Sequence, residues 1–226
     1  MKKYKYLLFD VDGTLLDFNK AEEQALINTF QKYNIVLTEQ MNQRYEQINK
    51  QLWKDFENGL IDKKTIVYTR FVQLFQEFGI DEDGIAFEDD YQDALGEGYF
   101  LLPHAREVLE KLSLKYPLYV VTNGVSKTQH SRLKGTHIDQ YFQDIFVSED
   151  IGYQKPTKEY FDYCFEKIEN IDKEHTLIIG DSLSSDMQGG INVGIDTCWF
   201  NPHHLKKPQD MDITYEIHDL RELLEL

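Results

Sequence analysis

Two aspartates one residue apart, Asp10 and Asp12, close a short apolar run in Leu7-Leu8-Phe9-Asp10-Val11-Asp12-Gly13-Thr14. The run reads as a buried strand. Side chains alternate along a strand, so residues two apart at its carboxyl end can face the same way. Gly13 lets the backbone turn tightly and approach a ligand. Side-by-side carboxylates repel each other, and a divalent cation relieves that repulsion. Taken alone, the pair fits either such a cation site or a strand end followed by a solvated acidic turn.

Three more groups could join them. Thr122, in Val120-Val121-Thr122-Asn123-Gly124, offers a hydroxyl and backbone N–H groups at a strand end. Lys155, in Gln154-Lys155-Pro156, is expected to open a helix. Gly180-Asp181-Ser182-Leu183-Ser184-Ser185-Asp186 reads as an acidic loop after a strand. Each has an ordinary explanation by itself: a strand end, a solvated lysine, a helix cap at Asp186. Four such groups in order, at matching strand ends, point instead to one pocket.

The elements that must position these groups follow from periodicity. After the first strand come about four helical patterns and no strand signal until about residue 100. Asn19 and Glu22 have capping-box spacing. Thr38 and Asp62 are expected N-caps, and Gly79 a helix stop. Met41, Tyr45, Ile48 and Leu52, then Ile66, Phe71, Leu74, Phe75 and Phe78, then Phe87, Tyr91, Ala94 and Leu95 recur at helical spacing. A single crossover needs far fewer residues, so residues 17–100 are expected to form an inserted helical cap. From Pro103, expected at a first helical position, helices alternate with apolar strands. Strands are expected at 117–122, 145–147, 176–180 and 197–200, with helices near 160–168 and 220. This predicts a doubly wound α/β core, residues 1–16 and 101–226, with a parallel sheet covered on both faces. Ligands bind such sheets beyond the carboxyl ends of the strands, where Asp10, Thr122 and Asp181 fall. No internal repeat or low-complexity segment occurs.

The 226 residues are 41% hydrophobic and 28% charged, an ordinary globular composition. A net charge of −16 argues against polymeric nucleic acid or an anionic membrane as partner. It leaves room for a small phosphorylated substrate, because a bound cation and one lysine reverse the local field. Cys164 and Cys198 fit no zinc spacing and are expected as buried, reduced thiols. The basic start Met1-Lys2-Lys3-Tyr4-Lys5 is followed by too short an apolar run for a secretion signal. No stretch is long enough to span a membrane, and a cytoplasmic location is expected. No oligomeric state is specified.

In type and order, Asp-Val-Asp-Gly-Thr-Leu, Thr122, Lys155 and the Asp181–Asp186 loop resemble the four motifs of the haloacid dehalogenase superfamily, over essentially the whole chain. The resemblance implies a Rossmann-like core with a helical cap, Mg²⁺ as cofactor and phosphoryl transfer through an aspartyl-phosphate. Asp10 would be the nucleophile, and Asp12 the general acid and then base. Mg²⁺ would be held by Asp10, the Asp12 carbonyl and Asp181, with Asp186 supporting the metal shell or orienting Asp181. Thr122, Asn123 and Lys155 would bind phosphate oxygens. True dehalogenases lack the second aspartate, so Asp12 points to phosphate esters.

The stretches Ile48–Phe56 and Thr197–His204 resemble the bacterial pyrimidine 5′-nucleotidase branch that also acts on noncanonical nucleotides. This implies a nucleoside monophosphate as substrate. Asn49, Gln51, Trp53 and Phe56 are candidates for base contacts, with Trp53 and Phe56 equally readable as cap core. His203 and His204 read as a solvated loop pair. A small sugar-phosphate phosphatase or phosphomutase is the alternative enzyme. A Mg²⁺-dependent phosphoacceptor module is the non-enzymatic one, but it would need neither a large cap nor Asp12.

Overall fold

The computed structural model describes residues 4–226, so the part of the basic start at Met1-Lys2-Lys3 lies outside the described residues. One compact unit runs up to Phe18 and resumes from Tyr99 to Leu226; a second comprises Asn19–Gly98.

The first unit is built on a six-stranded sheet. Its strands are β1 (Tyr6–Phe9), β2 (Leu118–Thr122), β3 (Phe142–Val147), β4 (Thr176–Gly180), β5 (Asp196–Phe200) and β6 (Tyr215–Ile217). They are ordered β3-β2-β1-β4-β5-β6, and every pairing is parallel. Strand alternation sorts the apolar side chains onto two faces. Leu7, Phe9, Val120, Leu177 and Ile179 face a cluster with Ala105, Val108, Leu109 and Leu112 of α5 (Ala105–Ser113). Leu8, Val121 and Ile178 face the opposite cluster, with Tyr160, Phe161 and Cys164 of α8 (Lys158–Lys167). A sheet buried on both faces needs near-continuous apolar strands, which Leu7-Leu8-Phe9 and Leu177-Ile178-Ile179 provide. The doubly wound parallel architecture is the one expected. Both cysteines are buried and free.

Several local expectations shift. Pro103 precedes the helix, which starts at Ala105 after His104 in a left-handed conformation. Lys155 lies ahead of α8 and does not open it. The strand expected at 145–147 begins at Phe142, and the end of the chain is a 3-10 turn, Leu220–Glu225. β6 and the helix α6 (Ser126–Gly135) had no expectation. Among the described residues no helix is long and apolar enough to cross a membrane.

The second unit holds α1 (Phe18–Lys32, which starts one residue ahead of the unit), α2 (Glu39–Glu57), α3 (Lys63–Phe78) and α4 (Gly84–Gly96). Thr38 accepts from the Met41 N–H and Asp62 from the Thr65 N–H, and Gly79 ends α3 at φ 65°. These are the expected caps. The Asn19–Glu22 capping box is not formed: the helix already starts at Phe18, and Glu22 turns into the bundle instead. There Phe30, Phe71, Phe75 and Phe87 form an aromatic core, and the buried Arg70 guanidinium lies over the rings of Tyr45, Phe71 and Tyr91. Arg70 makes a two-pronged ion pair with Glu88 (2.7 and 2.6 Å) and donates to the Asn49 amide oxygen at 2.9 Å. Asn49 passes the network on to Glu22 at 3.0 Å, where the Tyr45 hydroxyl also donates at 3.0 Å.

Removing one partner of a buried ion pair leaves an uncompensated charge. Arg70→Met is therefore expected to cost about 3–5 kcal/mol in urea unfolding; a loss within experimental error would show that Glu88 is solvated. Burial raises the Glu22 carboxyl above its ordinary value, outweighing Arg70. A carboxyl raised in the folded state destabilises when ionised, above its folded pKa, and not below its unfolded one. Glu22→Gln is expected to stabilise at pH 8, with the gain shrinking toward pH 4; a gain independent of pH would contradict this.

Candidate active site

β1 pairs with β2 on one side and β4 on the other, with Phe9 level with Val120 and Ile179. That register brings Asp10, just past β1, Thr122, the last residue of β2, and Asp181, just past β4, to one edge of the sheet. The chain reverses its direction of travel across the sheet between β1 and β4, which is where doubly wound folds bind ligands.

Lys155 reaches the same edge from the segment between α7 (Ser148–Ile151) and α8. Its backbone is clamped by Asn123: the Lys155 N–H donates to Asn123 Oδ1 and Asn123 Nδ2 donates to the Lys155 carbonyl, both at 2.9 Å. The following Lys155–Pro156 peptide is cis. The buried ammonium then spends its three N–H donors on Asp10 Oδ1, Asp186 Oδ1 and the Val121 carbonyl, each at 2.7 Å. Asp186 comes from a wide helical turn, Leu183–Met187, and its other oxygen accepts the Ser182 N–H at 3.1 Å. Thr14 donates to Asp10 Oδ2 at 3.2 Å. The Trp199 indole holds the Asp181 carbonyl at 2.9 Å.

Carboxylate oxygens of Asp10, Asp181 and Asp186 lie within 4.8 Å of one another. Against them stands Lys155. Burial lowers the tendency of this lysine to stay charged, but Asp10 and Asp186 outweigh it and its pKa is raised. Burial, with the charges of Asp186 and Asp12, pushes the Asp10 carboxyl up to about 7 despite Lys155. Desolvation and then Asp10 and Asp186 raise Asp181. Asp181 is exposed by surface area, so for this residue the repulsion from its neighbours is the cause that survives. Three carboxylates and one ammonium leave two negative charges uncompensated. An all-oxygen donor set with that residual charge fits a hard divalent cation. Asp181 sits hard against Gly13, at φ 81°, where a Cβ would collide with its carboxylate.

Asp12 departs from the expected pairing with Asp10. Its carboxylate is outside the three-oxygen cluster and is held by Arg132 Nη1 on Oδ1 and Gln129 Nε2 on Oδ2. Both donors come from α6 and both are buried. Sequence reasoning missed them because α6 has no apolar stripe. The available signal was a Gln and an Arg three apart, on one helix face directly after Thr122. Asn123, expected on phosphate, uses its side-chain amide on the Lys155 backbone.

Of the four residues expected to contact a base, Asn49 has its amide oxygen and nitrogen engaged inside the helical unit, by Arg70 and Glu22. This replaces the expectation of an amide available to a ligand. Phe56 is buried, and Lys63 sits over its ring. Gln51 is exposed and bonds Asp55 at 2.8 Å. Trp53 is half-buried, edge-on to Phe56 with centroids 5.7 Å apart.

Fold and site together define a doubly wound α/β protein with a lysine-braced acidic cluster at the switch point. The chain belongs to the haloacid dehalogenase-like hydrolase family, whose model matches residues 7–200. It superposes on a crystal structure of the HAD-hydrolase YfnB from Bacillus subtilis with a TM-score of 0.93 and 47% identity, covering 99% of this chain and 98% of that one. That structure is described as bound to magnesium and as revealing interdomain movement. The pyrimidine 5′-nucleotidase PynA of Streptococcus pneumoniae (strain ATCC BAA-255 / R6) is 40% identical over 98% of this chain and 94% of its own. The pyrimidine 5′-nucleotidase YjjG of Escherichia coli (strain K12) is 33% identical over 99% and 98%.

Lys155→Met removes the cation between two buried carboxylates and is expected to cost about 3–5 kcal/mol at pH 8 in chelator-treated protein. Asp10 titrates near 7 in the folded state, above an unfolded carboxylate. Protonation therefore stabilises, and the deficit should shrink as pH falls from 8 toward 5. Urea unfolding across that range checks it; a deficit that grows at low pH would refute the assignment.

Proposed function

We propose that the protein is a Mg²⁺-dependent phosphomonoester hydrolase that acts through an aspartyl-phosphate on Asp10, with pyrimidine nucleoside 5′-monophosphates as substrates. The observation that carries the chemistry is the Lys155-clamped Asp10 within reach of two further carboxylates that together retain uncompensated negative charge. The named activities of PynA and YjjG support the substrate class.

Mg²⁺ would be held by Asp10, the Asp12 carbonyl and Asp181 with Asp186 behind them, and when bound would offset charge on the phosphoryl oxygens. Asp10 attacks phosphorus, the ester P–O bond breaks, and the proton of Asp12 passes to the departing alkoxide. Water then attacks phosphorus, Asp12 takes its proton, and the Asp10–phosphorus bond breaks to release phosphate. Lys155 fixes the rotation of the Asp10 carboxylate and faces the developing charge. Thr122 donates to a phosphoryl oxygen, and Asn123 serves by holding Lys155. The unit Asn19–Gly98 acts as the cap, and Trp53 is its candidate for stacking on the base.

EDTA is expected to abolish phosphate release and Mg²⁺ to restore it, with deoxyuridylate or thymidylate turned over faster than hexose or triose phosphates. A preference for sugar phosphates would favour the alternative reading. Asp10→Asn should leave no turnover and no covalent phosphoenzyme. Trp53→Ala should raise KM for a nucleotide by about 5- to 150-fold, the equivalent of one stacked base. An unchanged KM in a destabilised fold would return Trp53 to the core.

A further inference from the structure

Thr122 and Asp12 share a neighbour that lies outside the four sequence motifs. Gln129 Nε2 donates to Thr122 Oγ1 at 3.1 Å and also to Asp12 Oδ2. The Gly124 N–H donates to the same Thr122 oxygen at 3.1 Å. A hydroxyl oxygen has two acceptor lone pairs and one hydrogen. With two N–H groups on its lone pairs, Thr122 keeps its hydrogen for a third partner, so it meets an incoming anion as a donor. The Asp12 carboxylate is fixed in the same way from the other side, with Arg132 on one oxygen and Gln129 on the other. Gln129 and Arg132 are three apart on α6 and therefore share a face. Space for the amide is built in: any side chain at Gly124 would collide with Gln129. Both residues are essentially inaccessible, 1% and 0% exposed, so neither is hydrated at the surface. Burying an amide and a guanidinium carries a desolvation cost that a purely structural helix would avoid with apolar residues.

We propose that Gln129 and Arg132 are positioning residues: Gln129 orients the Thr122 hydroxyl as a phosphoryl-oxygen donor, and Gln129 with Arg132 sets the rotamer from which Asp12 carries its proton. This rests on the proposed phosphomonoesterase reaction. It divides the two side chains by step. Gln129 acts on phosphoryl binding and on Asp12, whereas Arg132 acts on the proton-transfer steps through Asp12.

The test uses the full-length protein with Mg²⁺ and two substrates, thymidylate, whose alkoxide needs a proton to leave, and p-nitrophenyl phosphate, whose aryloxide does not. Rapid-quench measurement separates phosphoenzyme formation from its breakdown. Arg132→Lys keeps the charge but loses the planar fork. It should slow formation from thymidylate about 10-fold or more, leave formation from the aryl ester within about 3-fold, and let phosphoenzyme accumulate because breakdown also needs Asp12. Gln129→Leu should slow formation from both esters by about 10- to 100-fold and weaken inhibition by inorganic phosphate, the loss of a hydrogen bond to a charged group. If Gln129→Leu does not fold, Gln129→Met carries the same expectation. Equal losses on both esters for Arg132→Lys, or folded Gln129 variants with unchanged rates and phosphate inhibition, would overturn the inference while wild-type turnover stands. Absence of phosphate release from the wild type would overturn both readings together, because no phosphoryl group would then meet Thr122.

Discussion

A single buried ammonium ties the carboxyl edge of the central strands together. Lys155 Nζ reaches the loop after β1 through Asp10, the backbone of β2 through Val121, and the turn after β4 through Asp186. These are three adjacent strands of the sheet. A lysine can satisfy three acceptors at once only if its stem enters at one angle, and Asn123 secures that angle by bonding both backbone polar groups of Lys155. The interaction is indispensable in both directions. Without Lys155, two buried carboxylates have no cation, and without them the ammonium could not remain charged in the interior.

The pocket stays electrostatically unfinished even so. Burial, together with repulsion among its carboxylates, raises Asp10 and Asp181, and the residual negative charge makes a divalent cation the natural complement. A chain with a net charge of −16 can take an anionic phosphate ester only where such local compensation exists. For the proposed phosphate ester, local charge balance at this edge therefore counts for more than the net charge of the surface.

The helical unit solves a related problem differently. Glu88, Arg70, Asn49 and Glu22 form a continuous polar chain among aromatic side chains, with the guanidinium 4.7 Å from the Tyr91 ring centroid. Such a network holds only one relative arrangement of α1, α2, α3 and α4, because a shifted helix would leave a buried charge unpaired. It also explains why Asn49, which has the right chemistry for a nucleobase, is occupied elsewhere.

The sequence by itself determined the parallel α/β sheet, the four helices between β1 and the rest of the core, and the four motif positions, because apolar runs, caps and carboxylates at strand ends are local signals. Only the tertiary structure decided how those positions divide. Asp10, Asp181 and Asp186 cluster, whereas Asp12 turns to Arg132 and Gln129. Asn123 braces Lys155, and Asn49 belongs to the bundle interior. Each of these outcomes depends on a partner distant in sequence; Arg132 is 120 residues from Asp12 and Lys155 is 145 from Asp10. α6 was invisible for the same reason. Apart from Leu133 its buried residues, Thr128, Gln129 and Arg132, are polar, so it lacks the 3.6-residue apolar period, and only the carboxylate that it meets in the folded chain makes that face intelligible.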